Sequence, residues 1–168
     1  MKKAFIQLHI GVVLAGFTGV FGKLISLNEG LLVWYRMLLS GVLLLVILVA
    51  LRQLQKISWR SFLHIGSVGF LLGLHWLFFY GSIKYSNISI GVVCYALTSF
   101  FTALLAPLLT SKKLVLSELL LGVLTLIGVG LIFSFDVQYR VGIALGVISS
   151  LLVACYTLAA EKLSKQYA

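Results

Sequence analysis

Six long apolar segments follow one another along this chain, and they constrain its fold more than any other feature. They cover residues 4–21, 31–51, 62–82, 89–109, 117–135 and 141–160. A helix needs about 20 mostly apolar residues to cross the roughly 30 Å hydrocarbon core of a bilayer. Each segment is close to that length, and the connections between them are too short to hold a soluble domain. The sequence therefore predicts an all-α, polytopic membrane helix bundle with about six transmembrane helices.

The composition agrees with this interpretation. Hydrophobic residues make up 61% of the 168 residues and charged residues only 10%, whereas soluble domains carry about 25% charged residues. So few polar side chains cannot cover a water-exposed surface, which argues against a water-soluble enzyme. The lipid bilayer is therefore the first partner that we expect for this chain.

The basic residues indicate an orientation. If the N-terminus lies in the cytoplasm, three cations flank outer segment ends (Lys23, Lys84 and Arg140) and nine flank inner ends: Lys2, Lys3, Arg52, Lys56, Arg60, Lys112, Lys113, Lys162 and Lys165. Basic residues collect on cytoplasmic loops, where they lie against anionic headgroups. We therefore expect an N-in, C-in, multi-pass protein of the plasma (inner) membrane. The net charge of +9 then needs no nucleic-acid partner.

Residues for catalysis, metals or cofactors are scarce. The four acidic residues, Glu29, Glu118, Asp136 and Glu161, all lie at segment ends or in a turn, so no carboxylate proton relay is evident. The phosphate-binding GxxxxGK[ST] and zinc-binding HExxH motifs are absent. The two cysteines are isolated within apolar runs and indicate neither a metal site nor a disulfide. We expect no enzyme activity, no cofactor and no metal.

The candidate binding residues are the polar and aromatic side chains within the segments. Arg36 lies about six residues into the second segment; it either extends to the outer interface or lines a cavity and meets an anionic group. His75 in the third segment either packs as a hydrogen-bonding residue or takes part in polar recognition. As a hypothesis, Arg36 attracts a solute electrostatically, His75 recognises a polar group, and the walls of the site are Trp34, Trp76, Tyr80 and Tyr95.

Glycine and proline indicate how the helices pack. Gly69 and Gly73, like Gly142 and Gly146, form small-xxx-small patterns, which permit close backbone contact between membrane helices. These patterns indicate either general packing of the bundle or a surface for dimerisation or sliding. Pro107 predicts a local kink or an early end of the fourth helix.

Three stretches carry a resemblance to a known family. Residues 95–114 resemble the fourth helix and following turn of EamA-type members of the drug/metabolite transporter superfamily, and residues 121–132 resemble the fifth helix. The Trp34-Tyr35-Arg36 sequence is similar to an aromatic-arginine element of the second helix. Such transporters consist of two inverted repeats of five helices. The resemblance implies that residues 1–137 form one EamA-like repeat and that residues 138–168 form the first helix of a second, incomplete repeat.

The resemblance also implies a function. We expect a permease-like protein that moves small metabolites or drugs by alternating access around a cavity near the middle of the membrane. Because four helices of the ten are not accounted for, we expect a truncated form or fragment, or a second polypeptide that supplies the rest. The alternative is a non-transporting membrane assembly or regulatory subunit.

Overall fold

The regular elements of the protein are all helical in the residues that the computed structural model describes, which are 2–110, 112–135 and 137–167. The helices are α1 (Lys2–Leu24), α2 (Glu29–Ala50), α3 (Trp59–Tyr85), α4 (Ile88–Tyr95), α5 (Leu97–Leu109), α6 (Leu116–Phe135) and α7 (Arg140–Tyr167), with a short 3-10 helix at Val137–Tyr139. The predictions for Asp136 and for the side chains of Lys2 and Lys3 lie outside the described part.

The helices have the length and apolar character that a membrane protein requires. Within the described residues, five helical stretches are long and apolar enough to cross a bilayer: Ala4–Leu24, Glu29–Ala50, Trp59–Tyr85, Ile88–Leu109 and Arg140–Gln166. Helix α6 adds a shorter apolar stretch, Leu116–Leu131. The predicted all-α polytopic membrane bundle is therefore confirmed.

Three helices begin at polar residues that cap them. The side-chain oxygens of Asn28, Ser58 and Asn87 each accept a hydrogen bond from a backbone N–H three residues later, at 2.8, 3.1 and 2.9 Å respectively. Such N-caps satisfy backbone donors that a helix start leaves free. They explain why α2, α3 and α4 begin one to three residues before the apolar segments do.

The fourth apolar segment forms one helical stretch, Ile88–Leu109, as predicted, but its hydrogen-bond pattern is interrupted at Ala96, where α4 passes into α5 and the backbone stays helical with φ −60° and ψ −21°. The Ala96 N–H lies 3.2 Å from the carbonyl oxygen of Val92 and 3.1 Å from that of Val93, so it is shared between an α-type and a 3-10-type bond. Hydroxyl groups compete for the carbonyl oxygens on either side of this point. Thr98 donates to Tyr95 at 2.6 Å and Ser99 to Ala96 at 2.9 Å. Such side-chain bonds weaken and bend helices.

Helix α7 forms the centre of the bundle together with α3. It packs most extensively on α3 and also contacts α4 and α5, while α1 and α2 pack on α3 and α6 packs on α5. One buried cluster, around Phe79, Tyr80 and Ile83, joins α2 to α3. A second, around Leu97, Val129 and Ile143, joins α5, α6 and α7. The arrangement places α3 between the α1–α2 side of the bundle and α7.

Contacts at the two ends show that alternate spans run in the same direction. At one end, the Lys84 ammonium lies 3.4 Å from the carbonyl oxygen of Ile25, which joins the end of α3 to the end of α1. At the other end, Lys112 after α5 pairs with Glu161 late in α7 at 2.7 Å. The Lys84 end was predicted to be outer and the Lys112 end inner, and each contact joins residues that were assigned to the same side.

Candidate functional site

Arg36 lies in the apolar span of α2 and turns toward α3. Its side chain is half-buried, and its guanidinium donates a hydrogen bond to the phenol oxygen of Tyr80 at 2.5 Å. The guanidinium carbon also lies 3.7 Å from the ring centroid of Trp76, in the position of a cation–π contact. Trp76 and Tyr80 are one helical turn apart on α3 and stack with centroids 5.7 Å apart. Three of the predicted site residues therefore form one unit.

His75 lies on the far side of Trp76, where it joins α3 to α7. Its side chain is 1% exposed, and its Nδ1 lies 2.9 Å from Ser149 Oγ and 3.0 Å from the carbonyl oxygen of Ser149. Ser149 Oγ in turn donates to the His75 carbonyl oxygen at 3.2 Å. Because a carbonyl oxygen only accepts, this network fits an imidazole that carries its proton on Nδ1.

Tyr95 extends the aromatic group to the break in the fourth span. Its ring centroid lies 5.6 Å from that of His75 and 5.9 Å from that of Phe79. Aromatic pairs at this separation attract each other. Tyr95 is the last residue of α4, directly before Ala96, so the aromatic group lies beside the interrupted helix.

A groove of about 270 Å³ opens beside Arg36 between α1, α2 and α3. We call it the outer groove, because it lies at the predicted outer end. Its lining is Thr18, Phe21, Ile25, Leu27, Leu32, Tyr35, Arg36, Leu39 and Tyr80. Arg36 is the one charged group in this mostly apolar lining.

Comparison with known proteins decides the family. The model of the EamA-like transporter family matches residues 2–134. The chain belongs to the EamA-like transporter family. It is a membrane transporter of the drug/metabolite transporter superfamily, as the resemblance of its helices indicated. A search of curated proteins and a search of solved structures gave no significant match.

In this EamA-like chain, Trp34 lies apart from the other predicted wall residues. Its side chain is 56% exposed, and the aromatic contact that it makes is an edge-on one with Tyr35, at a centroid distance of 4.9 Å. The sequence placed Trp34 near Arg36, but two residues of a helix rotate by about 200°, so the two side chains point to nearly opposite faces. Its role in the site stays a prediction.

Some residues around the site were not expected from the sequence. Ser149 binds His75, and Ser150 Oγ donates to the carbonyl oxygen of Cys94 at 2.5 Å and to that of Gly146 at 2.8 Å. Both serines are buried. The sequence signal that was missed is the pair of adjacent polar residues in the middle of the sixth apolar segment.

The two glycine pairs of the EamA-like chain have different environments. A Cβ atom at Gly146 would lie 2.6 Å from Cys94 Cβ, and one at Gly142 would lie 2.5 Å from Ser86 Cβ. At Gly69 and Gly73 a Cβ atom would meet nothing within 4 Å. Gly142 and Gly146 on α7 thus allow close packing inside the bundle, whereas Gly69 and Gly73 on α3 have no neighbouring atoms that a side chain would meet.

A second polar region lies at the predicted inner end. A cavity of about 590 Å³ between α5 and α7 is lined by Lys112, Lys162, Lys165 and Glu161, among others. Glu161 pairs with Lys112 at 2.7 Å and with Lys165 at 2.9 Å. Within the described residues, no three His, Cys, Asp or Glu side chains are grouped as a metal site requires.

Proposed function

We propose that this chain moves small metabolites or drugs across the plasma (inner) membrane by alternating access. In the proposal, Arg36, His75, Trp76, Tyr80 and Tyr95 surround the solute path. The observation that carries it is the cluster in which Arg36 lies against Trp76 and Tyr80 while the Tyr95 ring contacts His75, next to a local irregularity of the fourth span at Ala96. Polar and charged side chains within membrane spans commonly mark solute paths, and backbone irregularity at membrane depth is tolerated where it lines a cavity or is buried in protein.

The irregularity at Ala96 also gives a point of movement in this proposal. A 3-10-type bond within a helix often marks a hinge. A tilt of α4 against α5 at Ala96 would move Tyr95 relative to His75 and Phe79. We infer that this tilt changes access to the aromatic group from the two sides of the membrane.

We further propose that residues 1–137 act as one repeat and that residues 138–168 are the first helix of a second repeat. The family match ends at residue 134, next to the end of α6 at Phe135, which supports this division. Helix α7 follows the match and packs on α3, α4 and α5.

Flux through reconstituted vesicles tests the proposal. The purified chain is placed in liposomes, a mixture of amino acids, organic acids and amines is added outside, and the vesicle contents are analysed by mass spectrometry against protein-free vesicles. We expect one solute class to enter. Arg36→Ala should reduce its initial rate by about tenfold or more, the loss expected for a charge-assisted hydrogen bond, and Tyr95→Ala by about two- to tenfold, the loss expected for a packed aromatic contact.

Arg60→Ala serves as the matched control, because it removes an exposed cation at the start of α3, away from the site. Its flux should equal that of the native chain. Unchanged flux in both Arg36→Ala and Tyr95→Ala would remove these residues from the site. A monodisperse chain that moves no solute would instead favour a non-transporting assembly or regulatory subunit.

A further inference from the structure

We propose that the outer groove binds a single anionic oxyacid group, a carboxylate or a phosphate, and that Arg36 is its partner. This inference names the chemical class of the solute, and it rests on the proposed transport function for the solute's passage. Two kinds of molecule carry such an anionic group, a small soluble solute and a lipid headgroup, and the test below distinguishes them.

The first argument is an uncompensated charge. Arg36 is the eighth residue of α2, about 10 Å from the helix start at 1.5 Å per residue. A charged side chain within a span is unfavourable, and neither the Tyr80 hydroxyl nor the Trp76 ring supplies a negative charge to Arg36. Within the described residues, Arg36 forms no ion pair. The ion pairs of these residues are those of Glu161, which lies at the other end of the bundle. A bound anion would supply the missing countercharge.

Glu29 does not fill this role, although it lies on the same helix. It precedes Arg36 by seven residues, which places it on nearly the same face but about 10 Å away along the axis. Glu29 lines a different cavity, together with Tyr85 and Val141, and does not line the outer groove.

The second argument is the fixed orientation of the guanidinium. The guanidinium carbon lies over the Trp76 ring, and the Tyr80 hydroxyl accepts from one terminal nitrogen. A guanidinium has five N–H donors in one plane, and within the described residues Tyr80 is its hydrogen-bond acceptor. Donors remain on the edge of this oriented plane, and paired donors on an edge fit the two oxygens of a carboxylate or phosphate.

The third argument is the lining of the groove. Phe21, Ile25, Leu27, Leu32 and Leu39 give it apolar walls, and its volume is about 270 Å³. Drug-sized ligands occupy cavities of about 300–1,000 Å³, so the groove fits a smaller molecule. The chemistry favours a compact solute with an apolar body and one anionic end.

Calorimetry with three matched probes tests this inference. The full chain in phosphatidylcholine nanodiscs is titrated at pH 7 with cyclohexanecarboxylate, with the neutral cyclohexanecarboxamide and with the cationic cyclohexylammonium; empty nanodiscs give the blank for lipid partition. We expect the carboxylate to bind about tenfold or more tightly than the carboxamide, as a charge-assisted bond implies. Equal affinities for the carboxylate and the carboxamide would overturn the inference.

Variants assign the preference to the residue. Arg36→Gln should bind both probes alike, whereas Arg60→Gln removes one exposed positive charge elsewhere and should keep the native preference. Carboxamide binding by Arg36→Gln shows that the groove is intact. If Arg36→Gln fails to fold, Tyr80→Phe and Arg36→Lys are measured instead. Arg36→Lys keeps the positive charge but loses the planar donor edge, so its preference for the carboxylate over the carboxamide should be reduced but not abolished. A native preference in Arg36→Gln would refute the assignment.

The source of the anion is identified by changing the lipid. The measurement is repeated in nanodiscs that contain phosphatidylglycerol. If its headgroup occupies the groove, carboxylate binding by the native chain should weaken, whereas carboxamide binding by Arg36→Gln should stay unchanged. This result supports an anion site occupied by lipid. Unchanged carboxylate binding supports a soluble solute. Binding is measured here without flux, so the two proposals can fail separately. A chain that binds the carboxylate but moves no solute contradicts the proposed transport and leaves the anion site standing. A chain that moves only uncharged solutes contradicts the anion site and leaves transport standing.

Discussion

Substitution of Gly146 by alanine is the sharpest test of the packing around α7. The added Cβ atom would lie 2.6 Å from Cys94 Cβ, 2.8 Å from Ser82 Oγ and 3.0 Å from Cys94 Sγ. Non-bonded carbon atoms prefer separations of about 3.5–4.0 Å, so α7 would have to move by roughly 1 Å from α4. Overpacking of this kind lowers the free energy of unfolding by about 1–3 kcal/mol.

Helix propensity acts in the opposite direction and has to be separated from the clash. Alanine favours a helix over glycine by about 1 kcal/mol. Gly73→Ala is the matched control, since it makes the same replacement within a helix but would meet nothing within 4 Å. The difference in free energy of unfolding between the two variants therefore isolates the clash, and we expect Gly146→Ala to be the less stable by about 1–3 kcal/mol.

Reversible unfolding in mixed micelles of dodecyl maltoside and SDS, followed by circular dichroism, gives these free energies. Cys94→Gly removes the Cβ and Sγ atoms that the new methyl group would meet, so the double variant Gly146→Ala/Cys94→Gly should recover part of the loss as a coupling energy. A Gly146→Ala protein as stable as Gly73→Ala would refute the close approach of α7 to α4.

Two further predictions concern the α3–α7 contact and the topology. His75→Phe should lower the free energy of unfolding by about 1–3 kcal/mol, because it leaves the buried Ser149 hydroxyl and carbonyl without the imidazole. Ser149→Ala should lower this free energy less. Non-additivity in the double variant, measured by the same unfolding titration, checks that the two side chains interact. In a parent without native cysteines, Ser26→Cys in the exposed loop after α1 should react with an impermeant maleimide added outside intact cells, whereas Arg52→Cys after α2 should react only after lysis; the reverse labelling would contradict the N-in topology.

The fold was largely predictable from the sequence because the bilayer sets simple requirements. A span needs about 20 apolar residues, and a helix start needs acceptors for its free N–H groups. Asn28, Ser58 and Asn87 meet the second requirement directly before apolar runs. The break at Ala96 was not predictable in this way, because it depends on which carbonyl oxygens the hydroxyls of Thr98, Ser99 and Ser150 select.

The grouping of site residues was predictable only in part. Trp76 and Tyr80 share a helix face by their spacing of four, and the structure places Arg36 against both. The bond between His75 and Ser149 joins residues 74 positions apart, and it depends on how α3 and α7 pack. Apolar helices of similar composition do not reveal their neighbours, since lipid and protein surfaces are alike in polarity.

The contacts of α7 connect the two parts of the proposed mechanism. Movement of α7 against α3 and α4 would have to break the His75–Ser149 bond and the bond from Ser150 to the Cys94 carbonyl oxygen, two residues before the break at Ala96. His75 is adjacent to Trp76, whose ring supports the Arg36 guanidinium. A shift of α7 therefore reaches both the hinge and the anion-binding edge through direct contacts. It follows that Ser149→Ala, which touches neither the outer groove nor Ala96, should change the affinity for cyclohexanecarboxylate only if α7 and the groove are coupled.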